Sequence, residues 1–78
     1  MINENKFTYG EYVKIKDTAP SHFCPGRVAS VCGIIRIQTK TLAERYQSNI
    51  GEWIYTIEYI GGSDTEIPES YLEKYEVL

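Results

Sequence analysis

Three residues in the first half of the chain have side chains that bind metals or act as nucleophiles. His22 and Cys24 are separated by one residue, and Cys32 follows further along. Structural zinc sites use four ligands, usually with paired Cys-x-x-Cys spacing, which this set lacks. A nucleophilic cysteine needs an oriented base, but Pro25 follows Cys24 and no third group is evident. We therefore predict no metal site, no cofactor and no catalytic residue, and we interpret these side chains as a surface histidine and two small, partly buried thiols.

Carboxylates are frequent in the last third of the chain. Paired acids can perform acid–base catalysis where a pocket raises the pKa of one of them. A chain of 78 residues buries only about 60–65% of the surface that it exposes when unfolded, which leaves little room for such a pocket. We therefore predict a non-enzymatic protein with a solvated acidic face, which would attract a basic protein and speed its association. The acids are Glu58, Asp64, Glu66, Glu69, Glu73 and Glu76.

The seven tyrosines are unusual for this length, and tyrosine is over-represented both in strands and at protein interfaces. Trp53, Tyr55 and Tyr59 fall on one face of a strongly patterned strand, so we expect them in the core. Tyr12 and Tyr46 are better candidates for exposed contacts. Together with the nearby acids they define a predicted partner-binding surface that consists of Tyr12, Glu44, Tyr46, Asp64 and Glu66.

Charge and hydropathy argue against two kinds of partner, nucleic acids and membranes. The net charge is −3 and the eight cationic residues are dispersed, whereas nucleic-acid modules normally carry a basic excess or stripe. No stretch is long and apolar enough to span a bilayer, and the N-terminal MINENKFTYGE has no hydrophobic signal region. We expect a cytoplasmic protein with reduced cysteines and a protein partner.

The first half of the chain predicts two strands around a loop. Residues 11–16 alternate with period two, and residues 17–26 contain two prolines and form a loop. Residues 27–37 read as a long strand with its odd-numbered residues inward and a bulge or sharp bend at Gly33. Residues 39–51 predict either a short helix, with Thr41 and Glu44 as a capping box, or a mobile hairpin loop.

The second half predicts three more strands. Residues 52–60 are the strongest, and Gly61 and Gly62 supply a tight turn before a short strand at 65–67. Residues 68–73 predict one helical turn that begins at a proline, and a last short strand follows. The fold class is therefore all-β: a single domain over residues 1–78, formed as a small SH3-like five-stranded barrel with a one-turn helix before the last strand.

The segments GEYVKI, PGRVASVCGI and WIYTIEYIGGSDTEIPESYLE, taken together, resemble small SH3-like barrels over nearly the whole chain. They are most similar to the small all-β immunity proteins of bacterial polymorphic toxin systems, which combine a Trp-x-Tyr strand with a Glu-x-x-Leu ending. One departure is Ala29, where the family has a glycine. This resemblance implies an immunity protein that neutralises a basic toxin domain by occlusion. The alternatives are an accessory SH3-like subunit that docks onto a larger enzyme and a nucleic-acid-binding barrel of the KOW type.

Overall fold

The computed structural model describes residues 4–76, which form a five-stranded antiparallel sheet with the strand order β4-β3-β2-β1-β5. One α-helix lies between β2 and β3, and a 3₁₀ turn directly precedes β5. These features confirm the predicted all-β class and the helical turn before the last strand. The strands are β1 (Tyr12–Ile15), β2 (Val28–Arg36), β3 (Trp53–Tyr59), β4 (Asp64–Pro68) and β5 (Leu72–Lys74); the helix is α1 (Lys40–Tyr46), and the 3₁₀ turns are Ser21–Phe23 and Glu69–Tyr71.

The core lies on one side of the sheet, where alternate residues of all five strands meet. Tyr55 and Tyr59 are buried there as predicted, while Trp53 is half-buried and packs against the edge of the cluster. No polar or charged residue is buried among the described residues. The main cluster consists of Phe7, Val13, Ile15, Ala19, Ala29, Val31, Tyr55, Ile57, Tyr59, Ile67 and Leu72.

A bulge in β2 confirms the irregularity predicted at Gly33. The register with β3 shifts between Val31 and Gly33, so that Cys32 is the extra residue. An extra residue shifts the alternation of side chains by one position. Beyond Cys32, the even-numbered residues of β2 therefore face inward instead of the odd-numbered ones. Ile34, not Ile35, packs against the main core. The prediction of a continuous odd-numbered inner face is thus wrong for the second half of the strand.

Helix α1 decides between the two structures predicted for residues 39–51. Its N-cap is Thr39, whose Oγ1 accepts a hydrogen bond from the Leu42 N–H at 3.2 Å. Gln47 ends the helix in the left-handed conformation with φ of 53°. The predicted capping box of Thr41 and Glu44 is therefore wrong, because both residues lie within the helix. None of the helices that the described residues form is long and apolar enough to cross a membrane.

Helix α1 contacts the outer side of the sheet through its last residue, Tyr46. Ile54 points away from the main core and is nevertheless fully buried, as is Ile37. The Tyr46 hydroxyl reaches across this side and donates a hydrogen bond to Glu66 Oε2 at 2.9 Å. The end of the outer side that carries Tyr12, Glu58 and Asp64 is open to solvent.

The N-terminal segment is fixed to the barrel by a small hydrogen-bond network around Tyr55. The Tyr55 hydroxyl donates to Glu69 Oε2 at 2.6 Å and accepts from the Phe7 N–H at 3.3 Å. The Lys6 N–H donates to the same Glu69 oxygen at 2.9 Å. Burial, followed by the bond to Glu69, raises the pKa of Tyr55 well above its usual range.

Candidate protein-docking face

One row of side chains crosses the open outer side of the sheet from edge to edge. The register pairs Tyr12 with Ser30, Ser30 with Glu58 and Glu58 with Asp64. Tyr75 follows β5 and extends the row beyond Tyr12, because its N–H donates to the Tyr12 carbonyl at 3.3 Å. Directly paired residues of an antiparallel sheet point to the same side, so these side chains form one continuous strip.

The structure brings together four of the five residues that were predicted to bind a partner. Tyr12 and Asp64 lie in this row, and Glu66 lies two positions along β4 on the same side of the sheet. Tyr46 joins them through its hydrogen bond to Glu66. Glu44 is different, because it is exposed on α1 and does not belong to the sheet surface.

Two tyrosines stand next to each other at one end of the strip. The side chain of Tyr12 is 51% exposed and that of Tyr75 is 38% exposed. Paired side chains in antiparallel strands have Cβ atoms about 4.5–5.5 Å apart, so this pairing places two amphipathic side chains side by side at one end of the strip. Sequence reasoning did not include Tyr75, because only the pairing of β1 with β5 shows that it lies beside Tyr12.

Carboxylates dominate the other end of the strip. Glu58 and Asp64 are exposed and directly opposite each other, and Glu66 is also exposed. Like charges in directly opposed positions of a sheet are destabilising. A cationic group placed between Glu58 and Asp64 would remove this repulsion, so this end favours a basic partner. We define the acidic tyrosine face as Tyr12, Tyr75, Glu58, Asp64 and Glu66.

Tyr46 is held in place more firmly than an exposed contact residue would be. Its side chain is half-buried, and its hydroxyl is bound to Glu66. This hydrogen bond, with burial as the next cause, raises the pKa of Tyr46 above its usual value. Tyr46 therefore orients the Glu66 carboxylate at the border of the acidic tyrosine face.

His22, Cys24 and Cys32 do not come together to form one site. Cys24 is partly buried and packs against the core, whereas Cys32 is exposed at the bulge and its thiol donates to the Thr56 carbonyl at 3.4 Å. The His22 ring packs on the Phe23 ring, with centroids 4.1 Å apart. Within residues 4–76, no group of three or more His, Cys, Asp or Glu side chains is positioned to hold a metal ion.

Comparisons with known proteins link the fold to an enzyme. No protein-family model matches the chain, and no curated protein matches it. A chain in the structure of the recombinant apo-enzyme of thiocyanate hydrolase from Thiobacillus thioparus is similar to it, with a TM-score of 0.70 and 25% sequence identity. The alignment covers 96% of this chain and 80% of that chain. This neighbour is not an immunity protein, and the comparison therefore favours the enzyme-associated alternative over the immunity protein that the sequence motifs suggested.

Proposed function

We propose that this chain is a non-catalytic accessory subunit that docks onto a larger enzyme through the acidic tyrosine face. The observation that carries the proposal is the likeness to a chain of thiocyanate hydrolase, which extends over nearly the whole barrel. The likeness covers 96% of this chain, and the matched chain belongs to the structure of an enzyme, so it supports an association of this chain with an enzyme. Fold alone does not determine function, so the surface chemistry has to agree.

The acidic tyrosine face agrees with a role in protein binding. Tyrosines supply large, rigid contact area and are enriched at interfaces, whereas charges at the border of an interface act mainly on association rate and orientation. Tyr12 and Tyr75 would form the contact, and Glu58 and Asp64 would select a basic surface on the partner. Glu58 and Asp64 are exposed on the open side of the sheet, which supports a role in binding and not in catalysis.

The acidic end of the face fits a basic toxin as well as a basic enzyme surface. Immunity by occlusion is therefore the second candidate, and the identity of the partner separates the two. The accessory-subunit hypothesis expects an enzyme whose activity or assembly depends on this chain. The immunity hypothesis expects an enzyme that the chain inhibits.

The test is capture of the tagged chain from its source cells, followed by identification and assay of the bound protein. We expect a larger enzyme in a fixed ratio to the chain, and we expect its activity to fall when the gene for this chain is deleted. Asp64→Lys should reduce capture, whereas Glu44→Lys is a matched control because Glu44 lies outside the acidic tyrosine face. A captured enzyme that gains activity without the chain would instead establish inhibition.

A further inference from the structure

One edge of β4 pairs with no other strand among residues 4–76, and its backbone groups point away from the rest of the sheet. β4 is a terminal strand in the order of the sheet. The Tyr59 N–H donates to the Ser63 carbonyl at 2.8 Å, which fixes that pair as a hydrogen-bonded one. Because bonded and non-bonded pairs alternate in an antiparallel ladder, the backbone N–H and C=O groups of Asp64 and Glu66 are directed outward.

An open groove runs along this edge and has a volume of about 340 Å³. Its lining includes Thr65 and Glu66 of β4, together with three aromatic side chains. These are His22 and Phe23 from the first 3₁₀ turn and Tyr46 at the end of α1. The backbone of Glu66 thus has hydrogen-bonding groups at the border of a groove with aromatic walls.

We propose that an extended segment of the partner adds to β4 in this groove as an additional antiparallel strand, with cationic and apolar residues in alternation. This inference rests on the proposed function and specifies how the larger enzyme is held. Strand addition to a free sheet edge is an established mode of peptide recognition, in which backbone bonds give affinity and alternate side chains give specificity.

The alternation follows from the two sides of β4. Side chains opposite Asp64 and Glu66 would lie on the acidic outer side, where lysine or arginine forms a favourable cross-strand pair. The intervening side chains would lie on the side of Thr65 and Phe23, where an apolar group fits the wall of the groove. Pro68 ends the pairing, because it has no N–H to donate.

Charge also argues against a second copy of this chain as the occupant. Two β4 strands paired edge to edge would place the carboxylates of Asp64 and Glu66 against those of the other copy. Like charges in opposed positions are destabilising, and acids on an edge strand are a common means of preventing such self-association.

The experiment uses short blocked peptides of alternating lysine and valine, titrated into the ¹⁵N-labelled protein. In the added strand, the backbone N–H groups of the lysines opposite Asp64 and Glu66 would bond to β4. The backbone N–H groups of the valines between them would point away from β4. N-methylation of the lysine amides should therefore weaken binding about tenfold, because it removes two or so backbone hydrogen bonds. N-methylation of the valine amides should change binding less than about twofold. Equal weakening by the two methylation patterns would overturn strand addition.

Variants of Glu66 provide the reciprocal test on the protein. Glu66→Ala removes the carboxylate and keeps the outward N–H, whereas Glu66→Pro removes both and is compatible with an edge strand. We expect weaker peptide binding for Glu66→Pro than for Glu66→Ala, with circular dichroism as the control for folding. If Glu66→Pro does not fold, the N-methylated peptides still decide the question. Dimerisation of the wild type that Glu66→Pro abolishes would also overturn the proposal, since it would make a second copy the occupant.

The outcomes separate this inference from the proposed function. Capture of a larger enzyme that survives Glu66→Pro but is lost in Asp64→Lys would overturn strand addition and retain the accessory role. The opposite case is also possible to distinguish. If the lysine–valine peptide binds with the predicted effect of methylation but no enzyme is recovered from cells, the groove is retained as a peptide site and the accessory role is rejected.

Discussion

Replacing Tyr55 by phenylalanine removes one hydroxyl and leaves the buried ring in place. That hydroxyl donates to Glu69 Oε2 at 2.6 Å and accepts from the Phe7 N–H at 3.3 Å. Hydrogen bonds to charged groups contribute about 1.5–3 kcal/mol, and we take the lower part of this range because Glu69 is only half-buried. Tyr55→Phe should lower the free energy of unfolding by about 2 kcal/mol, a large fraction of the roughly 3–5 kcal/mol that a domain of this size holds.

The assay is urea denaturation followed by the fluorescence of Trp53. This side chain lines a small cavity of about 160 Å³ together with Lys6 and Glu69, so its emission reports on the same region. Glu69→Gln and the double variant complete a thermodynamic cycle, in which the two losses should be less than additive because they remove one interaction. A loss below about 0.5 kcal/mol in Tyr55→Phe would refute the view that this network fixes the N-terminal segment.

Tyr55→Phe should also change how the stability of the protein depends on pH in the alkaline range. The pKa of Tyr55 is raised in the folded state above its ordinary value of about 10, first by burial and then by the bond to Glu69. The folded protein therefore holds this proton more tightly than the unfolded chain does. The resulting stabilisation is complete below about pH 10 and is lost as the pH rises above that value. The wild type should lose more stability than Tyr55→Phe between neutral pH and pH values above about 10.

Three further predictions test the local structure and the absence of a metal. Gly33→Ala should cost about 1–3 kcal/mol in urea denaturation, because its Cβ would lie 2.9 Å from Thr56 Oγ1 and 3.0 Å from Thr56 Cβ; an unchanged midpoint would contradict this close approach. Thr39→Ala should cost about 1 kcal/mol by loss of the N-cap, and Thr41→Ala less than about 0.5 kcal/mol, whereas the reverse order would assign the cap to Thr41. An excess of chelator should leave the melting temperature unchanged, and stoichiometric zinc recovered with a large drop in that temperature would contradict the interpretation of His22, Cys24 and Cys32.

The strands could be predicted from the sequence because their signals are local. Period-two alternation located β1 and β3, and Gly61 and Gly62 marked the turn, where both adopt positive φ. The proline before the last strand indicated the 3₁₀ turn. Each of these features depends on neighbouring residues alone, which is why sequence reasoning is reliable for them.

The features that the sequence could not predict depend on contacts between distant segments. The bulge was expected near Gly33. That it turns Ile34 toward the main core, in place of Ile35, can be seen only from the register of β2 with β3. The full burial of Ile54 could not be predicted either, because the sequence pattern left its side of the strand as mixed. The N-cap was predicted at Thr41 but lies at Thr39, because both threonines precede good helix formers.

The candidate site also combines features that the sequence could predict with features that it could not. Residue types indicated an acidic surface with tyrosines, and the register placed Tyr12 and Asp64 in one row. The pairing of Tyr75 with Tyr12 and the opposition of Glu58 to Asp64 required the sheet order. Glu44 met the same compositional criteria, but it lies on α1 and therefore outside the acidic tyrosine face.

The most direct test of the proposed accessory role is the mass of the native complex that contains this chain in its source cells. Light scattering on the tagged complex, combined with identification of its components, gives the mass and the composition together. We predict a species well above the 9.0 kDa of the single chain, with a larger enzyme in a fixed ratio and with markedly less of this species when Asp64→Lys replaces the wild type. A chain recovered only as a monomer, or an assembly unaffected by both Asp64→Lys and Tyr12→Ala, would contradict docking through the acidic tyrosine face.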